Sequence, residues 1–428
     1  MKPSKVIQSV VVAFSVLTMS FGCESIDQTS DMEQLQEVQA QAVKKVRAKK
    51  TYVKITVKDK AQATELAASG VDFFGSGDGG KFEAYVTDNQ IKLMQEQKVK
   101  FLPANSSAVE KPAFPAGYQT ANEAIEKVKA YAKQYPNITE LVDIGDSWEK
   151  TKGKNNNDVW ALVVSNKANK AKKSAAVFVS GVHARELITV EINMKFLNLL
   201  LSSYGKDPAI TQYIDSREII FVPVANIDGR QAVEKGESMW RKNRHIDNTY
   251  DGIDLNRNFA GHWNFEGLEL TPTLKRYKSQ LEEKDSDIYS GPSAFSEPET
   301  RGLADFLNDK NVTVMMDLHA YGNMVIYPPG YTNVPTPMTP VFKKVAKEMA
   351  AKNGYRTGTS MELLYPTCGT SKDWAFDKFN AISFTMEMGN DSDGFRPPFS
   401  RVEEVWGKNK DVLLYLVSIA DNPKKVLK

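Results

Sequence analysis

The stretch Ser174–Glu191, SAAVFVSGVHARELITVE, decides how the rest of the chain is read. Ser174 to Ser180 is a short apolar run of small and β-branched residues. Gly181 bounds it, and from Leu187 apolar residues recur at helical spacing. The stretch therefore predicts a strand, a turn and a helix. His183 and Glu186 sit three apart in that turn, where a bent backbone can aim an imidazole and a carboxylate at one point. Taken alone, the pair reads more readily as a surface histidine near a helix cap.

The partner comes from far downstream. The chain has only four histidines, and His319 ends VTVMMDLHA, which reads as a second strand reaching its C-terminal edge. In α/β sheets that edge is where sites assemble. Two His and one Glu make a three-ligand set that leaves a fourth position for water, the pattern of catalytic rather than structural zinc. Nitrogen and oxygen ligands without thiolates favour zinc, with cobalt, nickel and manganese compatible.

A chain of 428 residues has room for a large core and an accessory domain. A net charge of +2, with 25% charged residues, gives no basic stripe, so nucleic acid is excluded as a partner. Residues 1–23 pair Lys2 and Lys5 with a short apolar segment, the pattern of an export signal. Gly22-Cys23 resembles a bacterial lipoprotein junction, which implies membrane attachment through a lipidated Cys23. Ser20 and Phe21 depart from that preference, leaving a secreted or periplasmic form as the alternative. Cys368 is the only other cysteine, so with Cys23 lipidated or removed no internal disulfide can form.

Residues 24–50 are polar and read as a tether. From Thr51 the pattern is βαββαβ, through TYVKITV, DKAQATELAASG, VDFFG, KFEAYVT, DNQIKLMQEQ and KVKFL. This is the ferredoxin-like α+β plan for a small accessory domain at 51–103, with a linker at 104–117. An interaction module is the competing reading. From Tyr118 to the end, strands and helices alternate as an α/β unit. It opens with the helical ANEAIEKVKAYAKQYP and the strands ITELVDIG and DVWALVVS, and closes with an amphipathic helix from about Glu403 to Ile419. TPTLKRYKSQLEEKDSD, at 271–287, reads as a solvated insertion.

HARE (183–186), MWRKNR (239–244), DLNRN (254–258), the His319 strand, GPSAFSEPET, YPTCGTSKDW and FTMEM follow one another in the order seen in metallocarboxypeptidases of the carboxypeptidase A type. The resemblance covers about Tyr118 to the C-terminus, where it implies an α/β fold with a mixed central sheet flanked by helices, and residues 51–102 resemble more loosely the propeptide of such enzymes. It implies one zinc ion held by His183, Glu186 and His319, and Glu387 as general base and acid. It further implies Arg241 as stabiliser of the oxyanion, and Asn256 and Arg257 as the grip on the terminal carboxylate of a peptide or protein. A planar guanidinium suits that grip.

By the same resemblance Tyr365 covers the bound end, Arg185 contacts the chain upstream of the scissile bond, and Asp254 orients His183. Lys372 stands where such enzymes line the pocket for the last side chain, and a lysine there implies a preference for acidic ends. Asp317, two residues before His319, is expected to reach that pocket and neutralise Lys372. Cys368, with no base in sight, reads as a pocket-lining residue. Two alternatives stay open at this point: a cell-wall γ-D-glutamyl peptidase of the same fold, and a non-catalytic peptide-binding lipoprotein.

Overall fold

The computed structural model describes residues 50–104 and 113–427. The export signal, Cys23, all of the 24–50 tether except Lys50, and much of the 104–117 linker lie outside the described residues. Among those described, no helix is long and apolar enough to cross a membrane.

The larger sheet has eight strands: β5 (Thr139–Asp146), β6 (Asp158–Val164), β7 (Ser174–Val179), β8 (Arg217–Val222), β9 (Val312–His319), β10 (Met324–Tyr327), β11 (Arg356–Thr359) and β12 (Ile382–Glu387), in the order β11-β10-β12-β9-β7-β8-β6-β5. The four central strands β12, β9, β7 and β8 run parallel, and the flanking pairs β10/β12 and β6/β8 are antiparallel. This is the expected mixed sheet. The run in β7 is apolar throughout because both of its faces are covered. Ala176 and Phe178 enter one core with the helices Leu187–Ser203 and Arg401–Ile419, while Ala175, Val177 and Val179 enter another with the helix Ser371–Phe379. The helix Ala121–Gln134 is started by a reciprocal cap: Thr120 Oγ1 accepts from Glu123 N at 3.2 Å, and the Glu123 carboxylate accepts from Thr120 N at 2.8 Å.

Ahead of this unit lies a four-stranded antiparallel sheet of β1 (Lys50–Thr56), β2 (Phe73–Phe74), β3 (Lys81–Thr87) and β4 (Lys100–Pro103), in the order β2-β3-β1-β4, with helices at Lys60–Ala67 and Asp88–Glu96. The order of elements is βαββαβ. VDFFG gives only a two-residue strand, and the first strand takes in Lys50. Alternation sends Val53 and Ile55 into the core with the two helices, and Tyr52 to the opposite side, where Phe74 and Tyr85 pack with it.

One expectation is overturned. Residues 272–282 form a helix capped by Thr271, and its Tyr277 and Leu281 are buried. It is held between the small domain and the large one: Thr273 and Arg276 bond Glu65 of the first helix, and the Tyr277 ring meets Tyr365 edge-on at 6.2 Å. Only Leu274, Tyr277 and Leu281 interrupt the polar residues of this helix, so the sequence hides the buried stripe that those three make.

Candidate active site

Gly181 makes the bend after β7. Its φ is +66°, and a Cβ there would stand 3.3 Å from Val224 Cα, so glycine alone fits comfortably. The chain then turns on itself, with Glu186 N–H donating to His183 O at 3.2 Å and Ala184 N–H to Arg241 O at 3.0 Å. The second contact fastens the MWRKNR segment to the HARE turn. His319 ends β9 beside β7, and Glu387 ends β12 directly opposite His319 in the parallel ladder.

His183, Glu186 and His319 are all buried. His183 Nδ1 lies 2.7 Å from Glu186 Oε1, and His319 Nδ1 lies 3.0 Å from both Glu186 Oε2 and His183 Nδ1. Both rings use the opposite nitrogen elsewhere. His183 Nε2 is 3.1 Å from Asp254 Oδ1, and His319 Nε2 is 3.0 Å from Asp317 Oδ2. A proton held at each Nε2 by a carboxylate leaves both Nδ1 lone pairs aimed at one point beside a carboxylate, which is the donor set that a single divalent cation needs. Burial opposes charge on Glu186, but the two imidazoles beside it hold its carboxyl well below the usual range.

Asp254 is fully buried, and burial is outweighed by Arg241 and His183, which hold it well below the ordinary carboxylate range. Arg241 gives Nε and Nη2 to Asp254 Oδ2 at 3.1 and 2.8 Å. This leaves its Nη1 edge for a ligand in the cleft that Arg241 lines. Glu387 lines the same cleft, and its carboxyl is pushed up to about 8 by burial, with Glu186 adding to the shift and His319 and Arg241 opposing it.

Asn256 and Arg257 also line this cleft and follow Asp254 on one short turn. Asn256 is oriented by Ser371 N–H, which donates to its Oδ1 at 3.0 Å. Arg257 donates from Nη1 to Asn256 O at 2.7 Å, and its buried Nε has no partner. Tyr365 is buried, 6.2 Å centre to centre from Phe73 of the small domain. Arg185 donates to Asp72 Oδ2 at 2.8 Å and lies over the Phe395 ring at 4.2 Å. Asp72, Phe73, Phe74 and Gly75 thus form one wall of the cleft, and about 70 Å³ of free space remains, far below the ~300 Å³ at the lower end for small-molecule sites. Nothing in the sequence marks Asp72, because its partner Arg185 is 113 positions away.

Lys372 lines the cleft too, but it is not Asp317 that neutralises it. Its buried ammonium bonds Asp373 Oδ2 at 2.8 Å, while Asp317 is taken up by His319 and by the Ser371 hydroxyl. The helix beginning at Ser371 turns Lys372 and Asp373 toward Gly330, where Asp373 Oδ1 accepts the backbone N–H at 2.9 Å. Cys368 is buried and free, and burial pushes its thiol up to about 12, so it is no nucleophile.

Comparison with known proteins agrees with this geometry. The family model described as zinc carboxypeptidase matches residues 125–412. Carboxypeptidase B2 of Bos taurus is 32% identical over 283 residues, 63% of this chain and 62% of the relative. Carboxypeptidase A4 of Mus musculus is 29% identical over 336 residues, 75% of this chain and 76% of the relative. The match therefore spans less than two thirds of the bovine protein's length and about three quarters of the mouse protein's. The crystal structure of carboxypeptidase A from Helicoverpa armigera shares the fold, with a TM-score of 0.71 at 20% identity over 88% of this chain and 98% of that one. With two imidazoles and a carboxylate converging at the strand ends, and a family match over most of the catalytic unit, the chain belongs to the zinc carboxypeptidase family.

Proposed function

We propose that this protein is an exopeptidase that removes the C-terminal residue of peptides or proteins, with His183, Glu186 and His319 holding its one zinc ion. The observation that carries the reading is the convergence of these three side chains in a cleft also lined by Glu387, Arg241, Asn256 and Arg257. The ion supplies Lewis acidity for the scissile carbonyl and for water. Glu387 takes a proton from the attacking water and returns it to the departing amine. Arg241, anchored by Asp254, donates from its free edge to the carbonyl oxygen as charge develops there. Arg257 and Asn256 receive the terminal carboxylate, Tyr365 closes over it, and Arg185 meets the chain upstream once Asp72 has left.

The small domain acts as a propeptide. Its Asp72–Gly75 segment stands where substrate has to lie, so the full chain is latent until that domain is displaced. Lys372 sets a preference for acidic C-terminal side chains, softened by its pairing with Asp373. The segment up to Gly22-Cys23 directs export, with Cys23 as the lipid attachment point.

The test is a mixed peptide library offered to the zinc-loaded full chain before and after limited proteolysis, with and without a chelator, and read by mass spectrometry. Loss of single C-terminal residues after proteolysis, abolished by the chelator and absent for C-terminally amidated peptides, is expected. Equal cleavage of amidated peptides overturns the exopeptidase reading, and faster release of Leu than of Glu overturns the acidic preference.

A further inference from the structure

Asp317 and His319 are two apart on β9, so their side chains leave the strand on the same side. Asp317 is fully buried. Its Oδ2 lies 3.0 Å from His319 Nε2 and accepts the hydroxyl hydrogen of Ser371, while its Oδ1 has no partner. The nearest lysine in sequence to Ser371, Lys372, is bound by Asp373 instead. Asn256 Nδ2 also approaches His319 Nε2, at 3.2 Å. Its amide is oriented by Ser371 N–H at Oδ1, so it presents hydrogens and cannot accept one from the ring. The carboxylate of Asp317 is therefore the acceptor for the His319 Nε2 proton.

The ring's other nitrogen, His319 Nδ1, is the atom turned toward Glu186 and His183. We propose that Asp317 is a positioning residue for the metal. It fixes His319 in the tautomer with Nδ1 free and strengthens that nitrogen as a ligand, so that each zinc-binding imidazole is backed by its own carboxylate, Asp254 for His183 and Asp317 for His319. The proposal rests on the assignment of zinc to His183, Glu186 and His319.

The test is zinc affinity of the full chain, measured by competition with a chromophoric chelator, together with the visible spectrum of the cobalt-substituted protein. Asp317→Ser should bind zinc about 10- to 100-fold more weakly. Asp317→Asn keeps the shape and one acceptor but not the charge, and should fall between it and the parent. Both should shift the cobalt bands. Ser371→Ala removes the other hydrogen bond to Asp317 and should leave affinity and bands unchanged. Parental affinity in the near-isosteric Asp317→Asn, with Glu186→Gln strongly weakened, overturns the role given to Asp317. Parental affinity in Glu186→Gln overturns the zinc assignment itself.

Discussion

Glu387 and His319 stand opposite each other at the ends of adjacent parallel strands, paired in the β12/β9 ladder. The ladder places a carboxyl and an imidazole of the His183–Glu186–His319 cluster side by side without help from any loop. Replacing Glu387 by Gln keeps the shape and removes the proton acceptor. A loss of about 10²- to 10⁴-fold in kcat is expected, with zinc content unchanged in metal analysis of the same preparation.

Arg257 should act on binding more than on turnover. Its guanidinium is buried, its Nε is unpartnered, and it shares the cleft with Asn256. Arg257→Gln should raise KM for peptides with a free carboxylate, at a cost of roughly 1.5–3 kcal/mol for a lost charged hydrogen bond. Steady-state kinetics on matched acid and amide substrates will show whether the discrimination between them collapses.

Asp72→Asn tests latency. The pair Asp72–Arg185 is buried at 2.8 Å, and removing one charge leaves the other stranded, which weakens docking of the small domain. Intact Asp72→Asn protein should show several-fold higher activity than the intact parent, and the two should converge after limited proteolysis. Equal activity before proteolysis would remove Asp72 from the account.

Glu299 gives a stability prediction away from the site. Burial pushes its carboxyl up from 4.5 to about 8, with Glu297 adding to the shift. The native state then keeps a proton that the unfolded chain gives up above about 4.5, so this group's contribution falls as pH rises from 4.5 to 8. Glu299→Gln cannot ionise. Its Tm should decline less than the parent's between pH 5 and 8, as thermal melts across that range will show.

Much of this molecule is legible in the sequence because its chemistry sits on regular elements. The apolar run of β7, the glycine that ends it and the strand closing on His319 all announce themselves through period and punctuation. What stays hidden is pairing between distant residues of ordinary type. Lys372 and Asp317 are both in the right neighbourhood, yet the partner of each depends on the turn of the helix from Ser371, which hands Lys372 to Asp373. The 272–282 helix escapes notice for a related reason: a three-residue apolar stripe is too thin to stand out among lysines, glutamates and glutamines.

That helix has two allegiances. Thr273 and Arg276 are tied to the first helix of the small domain through Glu65, while Tyr277 lies against Tyr365. If the small domain leaves on activation, as proposed, one flank of the helix is stripped while the other stays against Tyr365. Ripening would then be more than uncorking: the helix itself loosens in the same event, and hydrogen exchange should quicken at 272–282 while the eight-stranded sheet stays protected.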